Sequence, residues 1–272
     1  MEETYRNINA SELRQYMARR SGQDYLLVDV RQPDEYAQGH IPGAILMPLG
    51  EVPARMHELP VEKDLVFYCR SGKRSQGAAI FVSSRPYTTS TVFNLTGGIL
   101  SWDGQLLPHV PQLKIFDLSR PGREVLLQAM DLERGAERFY NAVRLRCGGL
   151  PWADALASLA GAEEAHARLI YRFWAEGQKE PLDFETVYAG LNGDILEGGF
   201  PLAQLMDTLE HQPIPLPRAV LEMALTVEYA AYDLYRNLAH QFRGEKMEEV
   251  CETVAEAEKE HMRFVAKVLS QG

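Results

Sequence analysis

The side chains with the most chemistry to offer fall into two groups. The first is a cysteine followed by a cationic turn, Cys69-Arg70-Ser71-Gly72-Lys73-Arg74. The apolar run Leu65 to Tyr68 before it reads as a buried strand, and the pattern from Arg74 to Ser84 after it reads as a helix. A thiol in that position faces converging backbone N–H groups at a helix N-terminus, which favours negative charge. Arg70, Lys73 and Arg74 add positive charge. All three effects promote the thiolate, the reactive form of cysteine. The same cradle would stabilise a persulfide anion on Cys69. The bare pattern is equally that of a buried structural cysteine, so neighbouring motifs have to decide.

The second group consists of glutamates and histidines set into apolar helical stripes. One stripe reads Leu126, Met130, Glu133, Ala136, Tyr140, Val143, and a second Leu156, Leu159, Glu163, His166, Ile170, Phe173. A third reads Leu221, Ala224, Glu228, Ala231, Tyr235, Leu238, and a fourth Met247, Cys251, Val254, Glu258, His261, Val265, Val268. Steps of three and four keep each set on one helix face, the face that turns to the core. Four glutamates and two histidines would then be buried together. Ionised carboxylates are too costly to bury alone, and the cations Arg134, Arg138, Arg168 and Lys259 fall off the stripes. A pair of metal ions resolves the conflict, and mixed carboxylate–imidazole ligands suit iron, manganese or zinc. Glu163 with His166, and Glu258 with His261, are three residues apart and adjacent on a helix surface. One Glu from each of two helices plus Glu-x-x-His from each of two others is the pattern of di-iron carboxylate bundles.

The elements that must position these groups change character near residue 110. Before it, the strand-like runs Tyr25–Val30, Leu65–Cys69 and Thr91–Leu95 alternate with helical patterns over Ser11–Arg20 and Arg74–Ser84. Such alternation predicts a parallel sheet covered on both faces. After it, long helical patterns cover roughly Glu124–Arg146, Pro151–Glu176, Pro217–Phe242 and Glu245–Leu269. About 40 residues separate the second from the third, broken by Gly198-Gly199-Phe200-Pro201 and Pro213-Ile214-Pro215-Leu216-Pro217. A four-helix bundle with one long crossover has the ferritin-like connectivity. Breaks at Leu107–Pro111 and Ser119–Gly122 place a linker over 109–122, between domains at 1–108 and 123–272.

Composition sets outer limits. Hydrophobic residues at 46% and charged ones at 24% are those of an ordinary globular chain of 272 residues. There is no apolar run of the ~20 residues that cross a bilayer, and the polar start Met1–Ala10 shows no secretory signal. Three scattered cysteines, Cys69, Cys147 and Cys251, argue against a disulfide framework and for a reducing cytoplasm. Cys147 and Cys251 read as ordinary core or helix-end residues, and His57, His109, His211 and His240 join no constellation. The first 110 residues carry 11 basic and 12 acidic side chains, so nearly all the net charge of −10 lies in the helical half. So acidic a chain is a poor partner for nucleic acid.

The N-terminal motifs occur in a telling order: Asp29-Val30-Arg31, His40-Ile41-Pro42-Gly43-Ala44, the Cys69 loop, and Leu95-Thr96-Gly97-Gly98-Ile99-Leu100-Ser101-Trp102. Together they resemble a single-domain rhodanese over about 100 residues. The resemblance implies a five-stranded parallel sheet and a two-step sulfur transfer. A donor such as thiosulfate would leave a sulfane sulfur on Cys69, and a thiol or cyanide would remove it. It implies Cys69 as nucleophile and Arg70, Ser71, Gly72, Lys73 and Arg74 as the anion-binding loop, with Asp29, Arg31 and His40 in the framework. A phosphatase of the same fold has a loop one residue longer; four residues between Cys69 and Arg74 match the sulfurtransferase.

The helical half resembles the rubrerythrin and ferritin-like family over about 150 residues, on the strength of Glu133, Glu163, His166, Glu228, Glu258 and His261. The resemblance implies two iron ions, with manganese or zinc as substitutes, held by those six residues and reacting with peroxide or oxygen. No organic cofactor is expected. Two departures bear on this. There is no Cys-x-x-Cys rubredoxin module, so the electron donor must be external. Rubrerythrins have a carboxylate where His261 stands and a further glutamate on the third helix; the set here is the symmetric one of bacterioferritins. Glu133 and Glu228 each precede a tyrosine by seven residues, Tyr140 and Tyr235, as a duplicated helix pair would. These tyrosines are either hydrogen-bonded to the ligand shell or plain core aromatics. The expected function is a bifunctional sulfur and redox enzyme; the alternative is a persulfide carrier or a redox or sulfide sensor with little turnover. Iron storage would need a shell, which the fused N-terminal domain disfavours. The family analogy is compatible with a homodimer.

Overall fold

The structure is a computed structural model and describes residues 5–118, 122–146, 153–211 and 217–271. The chain divides into two compact units, Met1–Val110 and Pro111–Gly272.

The first unit runs β1 (Arg6–Ile8), α1 (Ala10–Arg19), β2 (Tyr25–Asp29), α2 (Pro33–Gln38), β3 (Ala44–Leu46), α3 (Val52–Arg55), β4 (Asp64–Tyr68), α4 (Lys73–Ser83) and β5 (Val92–Leu95). The five strands form one sheet in the order β1-β5-β4-β2-β3, and every pairing is parallel. Two apolar layers explain why β2 is apolar from Tyr25 to Val28 and β4 from Leu65 to Tyr68. Leu26, Val28, Leu65 and Phe67 face one cluster, while Tyr25, Leu27, Val66 and Tyr68 face the other. Side chains alternate across a strand, so a strand buried on both faces needs no polar positions. β4 is central, and its C-terminal end delivers Cys69 at the start of the turn into α4.

The second unit is built on four long helices, α5 (Gly122–Arg146), α6 (Ala153–Ala175), α9 (Pro217–Gln241) and α10 (Lys246–Gln271). Between α6 and α9 the connection carries more structure than its broken sequence predicts. It holds α7 (Phe184–Ala189), a two-stranded ribbon of β6 (Ile195–Leu196) and β7 (Phe200–Pro201), and α8 (Leu202–His211). Phe184 and Tyr188 of α7, then Leu196 and Leu202, sink into the bundle core and hold this crossover down. The stretch expected as a free linker is also partly engaged: a turn at Leu113–Ile115 leads to Phe116, which is buried in the bundle core. An aromatic side chain gains too much from burial to be left in a solvated tether. Cys147, Pro151, residues 119–121 of the expected linker and residues 212–216 of the proline-rich break lie outside the described residues. Among the described residues, no helix is long and apolar enough to cross a membrane.

The bundle core is divided into two apolar clusters. One takes Val125 to Leu132 of α5, Ala167 to Trp174 of α6, Tyr232 to Ala239 of α9 and Met247 to Ala255 of α10. The other takes Ala136 to Val143, Leu156 to Ala160, Val220 to Val227 and Val265 of the same helices. On each helix the glutamates and histidines fall in the gap between clusters, forming one polar layer across the core.

Candidate active site and metal centre

In the first unit, Cys69 is buried, with the Gly72 N–H donating to Sγ at 3.1 Å and Ser75 Oγ at 3.5 Å. Burial would push the thiol up. Hydrogen bonds from the Ser75 hydroxyl and from the backbone N–H groups of Ser75, Ser71 and Gly72 outweigh it and hold the thiol below its ordinary value. Gly72 reaches this arrangement with φ 89°, at the left-handed turn into α4. The loop rests on the Gly97-Gly98 turn: Ile99 and Leu100 donate their N–H groups to the carbonyls of Cys69 and Arg70 at 2.8 and 3.1 Å. A Cβ at Gly98 would lie 2.6 Å from the Arg70 carbonyl carbon, so glycine is required for that approach.

Of the loop residues, Arg70, Ser71 and Lys73 are exposed and Gly72 is buried. Arg74 is committed elsewhere as well: its two terminal nitrogens bond Glu35 at 2.7 Å each, and the pair holds Glu35 below the usual carboxylate range. Asp29 and Arg31 form a buried pair at 2.6 Å, and Arg31 also donates to the Gly39 carbonyl at 2.7 Å. His40 is buried and stacked on Tyr36 with ring centres 3.9 Å apart. These three therefore sit in the framework, away from the thiol's own contacts. Three partners were not legible beforehand: Glu35, Ser75 and Asn94. Asn94 Oδ1 lies 2.7 Å from Ser75 Oγ, so the single hydroxyl proton serves either Asn94 or the thiolate.

In the second unit, the six glutamates and histidines singled out from the stripes converge. Ligand atoms of Glu163, His166, Glu258 and His261 lie within 4.8 Å of one another. His166 Nδ1 faces Glu133 Oε2 at 3.2 Å, Glu163 Oε2 at 3.2 Å and Glu258 Oε1 at 2.9 Å. His261 Nδ1 faces Glu228 Oε2 at 3.1 Å, Glu258 Oε2 at 3.2 Å and Glu163 Oε1 at 3.9 Å. Each imidazole thus gathers three carboxylates, and Glu163 and Glu258 each give one oxygen to either side. The remaining oxygens of the outer two are held by tyrosines: the Tyr235 hydroxyl donates to Glu133 Oε1 and the Tyr140 hydroxyl to Glu228 Oε1. Of the two readings of these tyrosines, the hydrogen-bonded one is correct, and each serves the glutamate of the opposite helix pair.

This donor set fits a pair of cations. One ring N–H cannot satisfy three carboxylates, and neither oxygen of Glu258 makes a hydrogen bond although both are buried. Glu133, Glu163, Glu228 and Glu258 are at most 2% exposed. Burial, followed by the charges of Glu258 and Glu228, pushes Glu163 up, and burial takes Glu228 up to about 7. Burial works against a charged Glu258 too, yet His166 and His261 flank it and hold it low. Burial disfavours charged imidazoles, but the surrounding carboxylates raise both, His261 to about 11. Two cations would replace these shared protons by direct ligation.

A further carboxylate, Glu197, lies in the 3₁₀ turn Glu197–Gly199 between β6 and β7. It is 1% exposed, and its Oε1 lacks a hydrogen-bond partner. No periodicity marks it; the only sequence signal is a lone acid wedged between an apolar pair and the Gly198-Gly199 break.

Known proteins resemble the two units separately. The rhodanese-like domain model matches residues 9–105 and the rubrerythrin model matches residues 219–272. A sulfurtransferase of Allochromatium vinosum is 44% identical over 103 residues, covering 38% of this chain and 92% of that protein. A putative sulfurtransferase of Bacillus subtilis, YtwF, is 35% identical over 86 residues, covering 32% and 81%. A rhodanese-like domain protein of Staphylococcus aureus of known structure is 25% identical, covers 38% of this chain and 97% of that one, and has a TM-score of 0.34. The rubrerythrin match spans α9 and α10; Glu133, Glu163 and His166 on α5 and α6 complete the same polar layer. The chain therefore belongs to the rhodanese-like family through its first unit, which is fused to a rubrerythrin, ferritin-like second unit.

Proposed function

We propose that this chain joins a sulfane-sulfur transferase, with Cys69 as nucleophile, to a di-iron carboxylate centre that reacts with peroxide or oxygen. The observation that carries the second half is the excess of buried carboxylate oxygens over donors around His166 and His261. The sulfurtransferase relatives and the hydrogen bonds onto Cys69 Sγ support the first.

In the transfer, the Cys69 thiolate attacks the sulfane sulfur of a donor such as thiosulfate. The donor's S–S bond breaks, sulfite leaves with the electron pair, and Cys69 carries a persulfide. The N–H groups of Ser71, Gly72 and Ser75 that favour the thiolate equally receive the terminal sulfur's charge. An acceptor thiolate or cyanide then takes that sulfur, and the Cys69 thiolate leaves. In the bundle, Glu133, His166, Glu163 and Glu258 would hold one ion, and Glu228 and His261, together with Glu163 and Glu258, the other. When bound, the iron pair supplies electrons to the oxidant, and an external donor returns them. Tyr235 and Tyr140 hold the outer glutamates in place. His261 is the most accessible of the six, with 14% of its side chain exposed, so small reactants enter on its side.

The test is metal per chain after anaerobic loading with ferrous iron. About two ions are expected, falling in Glu133→Ala, while Cys69→Ser loses thiosulfate:cyanide transfer and keeps its metal. A count near zero in the wild type would sink the metal reading. A second reading, a persulfide carrier or sensor with little turnover, draws on the Arg74–Glu35 pair, which engages a cation otherwise free to attract thiosulfate. Turnover well above that of free cysteine and free iron would exclude it.

A further inference from the structure

Glu197 stands outside the four helices that carry the six ligands, yet the chain goes to unusual lengths to bury it. The crossover is clamped onto α5. Asp131 Oδ1 accepts the N–H groups of Asn192 and Gly193 at 2.7 and 2.9 Å, and Arg138 donates to the Gly193 carbonyl at 2.9 Å. Arg134 donates to the Tyr188 carbonyl. Gly135 lets the Ile195 backbone pass against the helix; a Cβ there would sit 2.9 Å from the Ile195 carbonyl carbon. On the other side, a Cβ at Gly198 would sit 2.6 Å from Ala230 Cβ on α9. Glu197 is thus seated between two helices of the bundle, with its side chain in the interior.

There it has the wrong company for a structural acid. Oε1 has no hydrogen-bond partner. The charges that act on it most are those of Glu133, then Glu163 and Glu258, all carboxylates. The ribbon meets α5 at Gly135, two residues after Glu133, where a Cβ would lie 3.3 Å from the Leu196 nitrogen next to Glu197. Glu197 is therefore placed toward the Glu133 end of the polar layer. A buried acid kept only for packing would be matched to a donor or replaced by an amide.

We propose that Glu197 is a seventh ligand of the metal pair, delivered by the crossover to the ion held by Glu133 and His166. This rests on the reading of the layer as a two-ion centre. It adds a hard oxygen donor to one ion only, so the two ions differ in coordination although the six helical ligands are arranged symmetrically.

The test uses the full-length metal-free protein, titrated with cobalt(II) and followed by its visible absorption. Wild type is expected to bind two ions. Glu197→Gln should still bind two, one of them at least about tenfold more weakly, with altered bands from one of the two. Glu197→Asp keeps the charge on a shorter arm and should fall between them. Glutamine has the shape of the protonated acid, so metal-free Glu197→Gln should melt no lower than wild type. If it binds both ions with wild-type affinity and spectrum, Glu197 is not a ligand. If it melts lower and weakens both ions equally, Glu197 is only a prop, and the proposal fails. If wild type binds no cobalt, the two-ion reading itself fails and takes this inference with it; that outcome is separate from a wild type that binds two and a variant that matches it.

Discussion

Replacing Gly135 by alanine should destabilise the helical unit, while the same replacement at Gly161 should stabilise it. Both glycines lie inside long helices, Gly135 in α5 and Gly161 in α6. The intrinsic effect of glycine to alanine in a helix interior is a gain of about 0.5–1 kcal/mol. At Gly161, which is exposed, a Cβ meets nothing within 4 Å, so the gain should appear in full. At Gly135 the Cβ overlaps the Ile195 carbonyl oxygen and lies 2.9 Å from its carbon and 3.3 Å from the Leu196 nitrogen. Those are backbone atoms with no rotamer to yield, so the cost falls at the upper end of the ~1–3 kcal/mol of overpacking. The net is a loss of about 2 kcal/mol at Gly135. For a unit of this size each kcal/mol moves the melting midpoint by roughly 2–4 °C. Gly135→Ala should therefore melt about 4–8 °C lower and Gly161→Ala about 1–4 °C higher. The assay is thermal unfolding of the metal-free chain at 222 nm, where the helices dominate. A Gly135→Ala protein that melts at or above wild type would refute the close approach of the crossover to α5, and with it the seating of Glu197.

Ser75→Ala should raise the Cys69 thiol, because it removes a hydrogen bond that favours the thiolate; the pH midpoint of iodoacetamide alkylation reports it, and an unmoved midpoint would show the hydroxyl bonds only Asn94. Tyr235→Phe and Tyr140→Phe should each leave two metals bound but weaken binding by about tenfold, read by chelator competition; unequal effects on loading, with one variant silent, would break the paired roles assigned to them. The metal-free protein should lose stability as pH rises from 5.5 to 9. Glu228, raised to about 7 by burial, keeps its proton when folded after the unfolded chain has released it, so its contribution declines with pH. His261 opposes its burial with carboxylate contacts that raise it to about 11, so its contribution is full below its ordinary value and is lost on the way up. Metal affinity should rise over the same window, because the ligands must shed protons to bind. Melting curves of metal-free protein that climb with pH would contradict both shifts.

What could be read from the chain was what local rules govern. The six clustered glutamates and histidines show themselves because a glutamate at Glu133 or Glu228 interrupts an apolar stripe at helical spacing, and a helix face is fixed by periodicity alone. Cys69 is legible because strand, turn and helix are contiguous. The parts that escaped depend on partners far along the chain. Glu35 meets Arg74 across 39 residues, and Arg134 meets the Tyr188 carbonyl across 54. Nothing in the local pattern of Leu196-Glu197-Gly198-Gly199 reports burial, because the crossover's main chain is held by the side chains of Asp131, Arg134 and Arg138 on α5, far away in sequence. The crossover itself read as broken sequence because its anchors, Phe184, Tyr188, Leu196 and Leu202, are single apolar residues spaced by loops.

The way the layer is shared has consequences for how the bundle is held together. The α5–α6 pair offers Glu133, Glu163 and His166, and the α9–α10 pair offers Glu228, Glu258 and His261. Yet His166 needs Glu258 from the other pair, His261 needs Glu228 and Glu258 with Glu163 opposite, and each outer glutamate is held by the other pair's tyrosine. Neither helix pair completes a ligand shell alone, so any ion bound there ties the two pairs together, and its binding free energy adds to the stability of the whole bundle. The near two-fold arrangement would by itself treat both ions alike. The crossover joins α6 to α9 only once and has no symmetric mate, so whatever it inserts acts on one side. A carboxylate placed there would give two ions held by otherwise matched helix pairs unequal surroundings.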